Sequence, residues 1–184
     1  EGDNIAGLAS YGELGSETAL VDVGGRYIAP GLVDIHTHGG VGHTFNEPTA
    51  RAFDAILAAN ASLGVTSIVG TLATASIPDL TACLDYGRSR LGARGGSRLL
   101  GMHLESPYIN PAQKGALDPA NIRLPADGSV EPLLELADVL RVFVLAPELP
   151  GALELVGRLA RAGVVVAAGP SSARDGDVRA ALAR

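Results

Sequence analysis

Five short apolar runs separated by longer segments of helical period constrain this chain most: residues 32–38, 65–70, 99–105, 140–146 and 164–168. Each is apolar enough to be buried on both faces, and their alternation with helices predicts repeated βα units around a parallel sheet. The sharpest helix is 48–63, with Asn46 as its cap, Pro48 in the first turn, Phe53, Ile56 and Leu57 as an apolar stripe and Gly64 as its stop. Further helices are expected over 78–90 after Ser76, over 151–162 before Gly163, and from about Asp177 onward. A closed (β/α)8 barrel takes about 250 residues and eight strands. Five units in 184 residues therefore predict either an open doubly wound sheet or a partial (β/α)8 TIM-like barrel.

Ahead of the first unit, 19–23, the Gly24-Gly25 pair and 26–28 predict a short β-hairpin. A lone hairpin is marginal in water, so it must belong to something larger. Residues 1–30 are accordingly expected to be part of a small accessory β-domain, and 31–184 an incomplete barrel.

Composition narrows the partners. With 47% apolar and 18% charged residues the chain has the make-up of a globular domain. A net charge of −6 with 14 scattered basic residues argues against a nucleic-acid surface. No run approaches the roughly 20 apolar residues of a spanning helix, and no signal-peptide pattern opens the sequence, so neither membrane insertion nor export is expected. The single cysteine, Cys83, lies in a helical pattern and is expected to be an inert packed thiol.

The chemistry is concentrated at strand ends. His36 and His38 close the first run, and alternate residues of a strand share a face, about 6.6 Å apart, so both imidazoles can converge on one ion. The third run ends His103-Leu104-Glu105, where the glutamate emerges from apolar residues and a buried unpaired carboxylate is costly. His36, His38 and Glu105 thus make a three-ligand set for a divalent ion, most readily zinc, with one position left for water. His103 shares the strand face of Glu105 and reads as either a supporting or a core histidine. His43 reads as a solvated loop residue, and the glycines at 39, 40 and 42 as a tight turn rather than a phosphate cradle.

The segment Tyr27-Ile28-Ala29-Pro30-Gly31-Leu32-Val33-Asp34-Ile35-His36-Thr37-His38-Gly39 resembles the opening metal motif of the amidohydrolase superfamily. Gly101-Met102-His103-Leu104-Glu105-Ser106-Pro107, followed by Ile109-Asn110-Pro111, Lys114-Gly115-Ala116 and Asp118-Pro119, is similar to the N-acetylglucosamine-6-phosphate deacetylase family. The resemblance runs from the hairpin to about Ala173. It implies a cytoplasmic, homodimeric metal-dependent hydrolase of amino-sugar catabolism that removes the acetyl group from a phosphorylated amino sugar.

Carried across, Glu105 matches the family's principal metal-ligand glutamate and the His36–His38 pair matches a metal-holding pair. Gly115, Ala116 and Leu117 fall in the substrate loop. The sequence departs from the family in four places. Gly169-Pro170-Ser171-Ser172-Ala173 has proline where the family has a ligand histidine, Leu117 replaces a sugar-contacting histidine, and Ser106 replaces glycine. The family's second ligand histidine and its acid–base aspartate have no counterpart in the 184 residues. Asp34 and Asp118 are the nearest candidate substitutes for that aspartate, and both are placed poorly for the role. Little or no turnover is expected of this chain alone, and a structural remnant of the family or another amide hydrolase of the superfamily are the alternatives.

Overall fold

The computed structural model describes residues 4–13, 15 and 19–184. The chain divides into two units, Glu1–Pro30 and Gly31–Arg184.

Within the first unit, Gly24 and Gly25 both have positive φ, the Gly24 N–H donates to Asp22 Oδ1 at 2.7 Å, and the Arg26 N–H donates to the Val23 carbonyl at 3.2 Å. The expected hairpin turn therefore forms, but the strands expected over 19–23 and 26–28 do not pair as a ladder. Every residue of 19–28 except Val23 is exposed, so no apolar face is buried to hold the two arms together.

The second unit is a sheet of five parallel strands in the order β1 (Leu32–Thr37), β4 (Val65–Leu72), β5 (Arg98–Leu104), β6 (Leu140–Leu145) and β7 (Val165–Ala168). A two-stranded antiparallel ribbon, β2 (Gly39–Gly40) with β3 (His43–Thr44), follows β1. Each strand of the large sheet lies beside the next one in sequence, and the order never reverses. A doubly wound sheet needs such a reversal, so this is the partial barrel.

The helices are α1 (Ala50–Ser62), α2 (Ile77–Ser89), α3 (Glu131–Leu134), α4 (Ala152–Arg161) and α5 (Asp175–Leu182). The cap of α1 is Thr49, whose hydroxyl accepts from the Ala52 N–H at 3.3 Å, and not Asn46 as expected. Asn46 instead makes paired bonds to Ala73, donating to its carbonyl at 3.1 Å and accepting from its N–H at 2.9 Å. It thereby ties the loop after β3 to the end of β4.

The helices pack one face of the sheet. Phe53 on α1 meets Phe45 and Tyr86 edge-on, both at 5.0 Å between ring centroids, over a floor of Ile68, Leu72 and Met102. Cys83 is buried in the same core, where burial pushes its thiol pKa up to about 11, as expected of an inert thiol. The expectation that every strand is buried on both faces holds for the middle of the sheet but fails at its flanks. Leu32, Val33 and Ile35 on β1 and Val165 on β7 are each about 60% exposed. β1 and β7 are the two edges of the sheet, and Ile35 and Val165 line a concave groove of about 680 Å³ together with Val69, Leu100 and Val142.

Candidate metal centre

The site lies where β1 and β5 end. Along β1, Asp34 pairs with Ile68 and Thr37 with Gly70, three steps on one strand against two on its neighbour. This β-bulge leaves Ile35 and His36 without partners on β4 and re-aims the end of the strand. Asp34 Oδ1 accepts the His36 N–H at 2.9 Å, which gives one of the freed backbone groups a partner. It also commits Asp34 to a local turn.

Beyond Thr37 the chain turns at once into the β2–β3 ribbon. The Phe45 N–H donates to the His38 carbonyl at 2.9 Å, and Gly39 (φ 150) lies so close to the ribbon that a Cβ there would stand 2.2 Å from the His43 carbonyl oxygen. Only glycine fits this corner. The ribbon therefore fixes the backbone of His38. Glu105 follows β5 directly, and its N–H donates to the Leu72 carbonyl at 3.3 Å.

These strand ends bring the three expected ligands together. His36 Nε2 stands 3.4 Å from Glu105 Oε1, His38 Nε2 stands 3.2 Å from Oε2, and donor atoms of all three lie within 4.8 Å of one another. Zinc with bonds of about 2.0–2.1 Å in tetrahedral geometry separates its ligand atoms by about 3.3 Å. A direct charge-assisted hydrogen bond would bring nitrogen and oxygen to about 2.7–2.9 Å. The two His–Glu gaps are close to that ligand–ligand spacing. The residues fit the group: two Nε2 donors and a carboxylate form a catalytic-type set, and the imidazoles are the only ion-pair partners of Glu105 among the described residues. The His36 and His38 side chains are 48% and 43% exposed, so the centre is open to a small ligand.

His103 is not one of the three donors. Its Nδ1–H donates to the Ile35 carbonyl at 2.9 Å, its ring lies 4.6 Å from that of His36, and it is buried. Burial holds its pKa below the ordinary histidine value, against the hydrogen bond to Ile35, which raises it. His43 differs from the solvated residue expected. It is four-fifths buried, with Nδ1 3.0 Å from Glu47 Oε2, while Glu47 Oε1 accepts the Thr44 N–H at 2.8 Å.

Gly115, Ala116 and Leu117 lie in the loop after β5, where Lys114 Nζ donates to the carbonyls of Gly115 and Leu117 at 3.2 and 3.3 Å. These bonds are internal to the turn. The loop is anchored through Asn110, whose side-chain amide donates to Glu148 at 2.9 Å, and through Gln113, which donates to Ser172 at 3.1 Å. Glu148 also accepts the Ser172 N–H at 2.6 Å, so this one carboxylate joins the loops that follow β5, β6 and β7. It is not among the candidates read from the sequence, although Glu105 closes the third apolar run and Glu148 stands just past the fourth. Pro170, at the family's ligand position, accepts the Asn110 N–H through its carbonyl at 3.0 Å. Asp118 caps a short turn by accepting the Ala120 N–H at 2.9 Å.

No family model matches the chain. It is 33% identical over 186 residues to N-acetylglucosamine-6-phosphate deacetylase of Vibrio furnissii, covering 100% of this chain and 46% of that protein. It is also 33% identical to N-acetylgalactosamine-6-phosphate deacetylase of Escherichia coli O157:H7, covering 84% of the chain and 42% of the relative. Among solved structures, a mutant N-acetyl-D-glucosamine-6-phosphate deacetylase from Mycobacterium smegmatis, in complex with N-acetyl-D-glucosamine-6-phosphate, superposes with a TM-score of 0.76 at 34% identity, over 84% of this chain and 40% of that one. The chain spans less than half the length of these relatives. The parallel sheet, the strand-end cluster of His36, His38 and Glu105 and these similarities agree, and the chain belongs to the N-acetylglucosamine-6-phosphate deacetylase family.

Proposed function

We propose that His36, His38 and Glu105 hold a zinc ion and form the metal centre of a hydrolase that converts N-acetylglucosamine 6-phosphate to glucosamine 6-phosphate and acetate. The observation that carries this reading is the meeting of two Nε2 atoms with the two oxygens of one carboxylate at 3.4 and 3.2 Å. When bound, zinc supplies Lewis acidity that polarises the amide carbonyl and acidifies a bound water. The chain's own part is to hold the donors at that spacing, to leave one side of them open, and to present the Lys114–Leu117 turn as the sugar-facing loop. Residues 1–30 act as an accessory segment, and a second copy of the chain is the partner. The reaction belongs to cytoplasmic amino-sugar catabolism; no helix among the described residues is long and apolar enough to cross a membrane.

Proton delivery to the departing amine is the weak step in these 184 residues. Asp34 is bonded to the His36 N–H and Asp118 to the Ala120 N–H, so neither carboxylate is free at the centre. Turnover by this chain alone is therefore slow while the ion is retained. Acetate release and zinc content, measured together, test the reading: bound zinc and a trace of zinc-dependent acetate release, both lost in E105A, are expected. Absence of zinc, or acetate release indifferent to E105A, contradicts it. Parallel assays with N-acetylgalactosamine 6-phosphate decide the sugar.

A further inference from the structure

We propose that His103 is a positioning residue that sets the height of β1 against β5 and so fixes the gap between His36 and Glu105; the inference rests on the metal-centre reading. Strands β1 and β5 are not neighbours, since β4 lies between them. His103 nevertheless reaches across, its Nδ1–H bonded to the Ile35 carbonyl at 2.9 Å. That carbonyl belongs to the bulge, at the residue immediately before His36, where β1 has no register partner on β4. Between the paired Asp34 and Thr37, the ladder to β4 is locally interrupted at Ile35 and His36. The imidazole of His103 supplies the missing tie.

Two further observations agree with this role. The His103 ring packs against the His36 ring, with centroids 4.6 Å apart and planes tilted by 59°, so it limits rotation of the ligand as well as movement of its backbone. The residue is only 5% exposed, and Glu105 follows it by two positions, directly past the end of β5. The end of β5 thus carries the brace, and the next residue the ligand that faces His36. A carbonyl can only accept, so the Ile35 bond puts a ring proton on Nδ1, and in the neutral ring Nε2 is then the lone pair. Nε2 is buried and has no protein partner among the described residues, so the Ile35 bond is the ring's single hydrogen bond to protein.

The test compares wild type, H103N, H103Q and H103L by zinc titration and by ring-nitrogen NMR of the metal-free chain. Asparagine places its amide near the Nδ1 position and keeps the bond to Ile35, whereas glutamine carries the donor one bond further out and leucine removes it. H103Q and H103L are expected to bind zinc roughly 10- to 100-fold more weakly, the range for loss of a group that orients a ligand. H103N is expected to retain most of the affinity. In the metal-free wild type, a slowly exchanging His103 Nδ1 proton and a ring-to-ring contact with His36 are expected. Unchanged affinity in folded H103Q and H103L, or a fast-exchanging ring proton in wild type, overturns the proposal. If the wild type takes up no zinc, the metal reading fails and the ring-proton measurement alone decides the role of His103.

Discussion

His38 and Glu105 each follow directly on the end of a strand, β1 and β5, and these strands are separated by a third, yet Nε2 of one stands 3.2 Å from Oε2 of the other. Two devices make the meeting possible: the bulge that re-aims the end of β1, and the glycine corner that turns the chain into the β2–β3 ribbon directly after His38.

The corner gives the first prediction. In G39A the new methyl stands 2.2 Å from the His43 carbonyl oxygen and 2.8 Å from Thr44 Cα, so backbone must move. We expect a stability loss of about 1–3 kcal/mol with weakened zinc binding, read by urea unfolding and metal titration. Unchanged values for both would show that the corner does not hold His38.

The same ribbon carries a residue that opposes its own conformation. Val41 has φ 49, in the left-handed region that penalises a side chain by roughly 1–2 kcal/mol, and it is 65% exposed, so its side chain gains little packing in return. Asparagine tolerates this region. V41N is expected to raise stability by about 1 kcal/mol, visible as a higher melting temperature, and a lower one would count against the turn geometry.

Acid should loosen the loops at the strand ends. Burial works against the charge of Glu148, but hydrogen bonds from Asn110 and Ser172 outweigh it and hold its pKa below the ordinary value of 4.5. A carboxylate with a lower pKa in the folded state adds stability above its unfolded value and loses it as pH falls through the folded one. Denaturation of wild type should therefore steepen below pH 4.5, and E148Q, which cannot titrate, should show a flatter profile there. Identical profiles would remove Glu148 as the tie between the three loops.

Metal and stability are linked if the centre assembles only in the folded chain. Zinc at 100 times its dissociation constant should stabilise the protein by about 2.7 kcal/mol, and a chelator should reverse the shift. In E105A the melting temperature should not respond to zinc.

Much of this was legible in the sequence because strand alternation and helical period report burial directly. The five units and the His36–His38–Glu105 set follow from that pattern. The bulge did not, since an extra residue in one strand depends on the register of its neighbour and not on local composition. The same limit explains Asn46. Its side chain suits a helix cap, but the end of β4 offers it the two backbone partners of Ala73, and Thr49, one residue before α1, takes the cap. His43 looked solvated because its partner Glu47 counts only when the ribbon folds it back. The arms flanking Gly24-Gly25 show the reverse case, a turn signal strong enough to form the turn but without buried area to zip the strands.

Elemental analysis of the purified chain, set beside H36A and E105A, tests the central claim most directly. The account predicts about one zinc per wild-type chain, as for a single three-ligand site, and little in either variant although both remain folded. Zinc retained in E105A, or absent from a folded wild-type chain supplied with it, would contradict a shared metal centre at these strand ends.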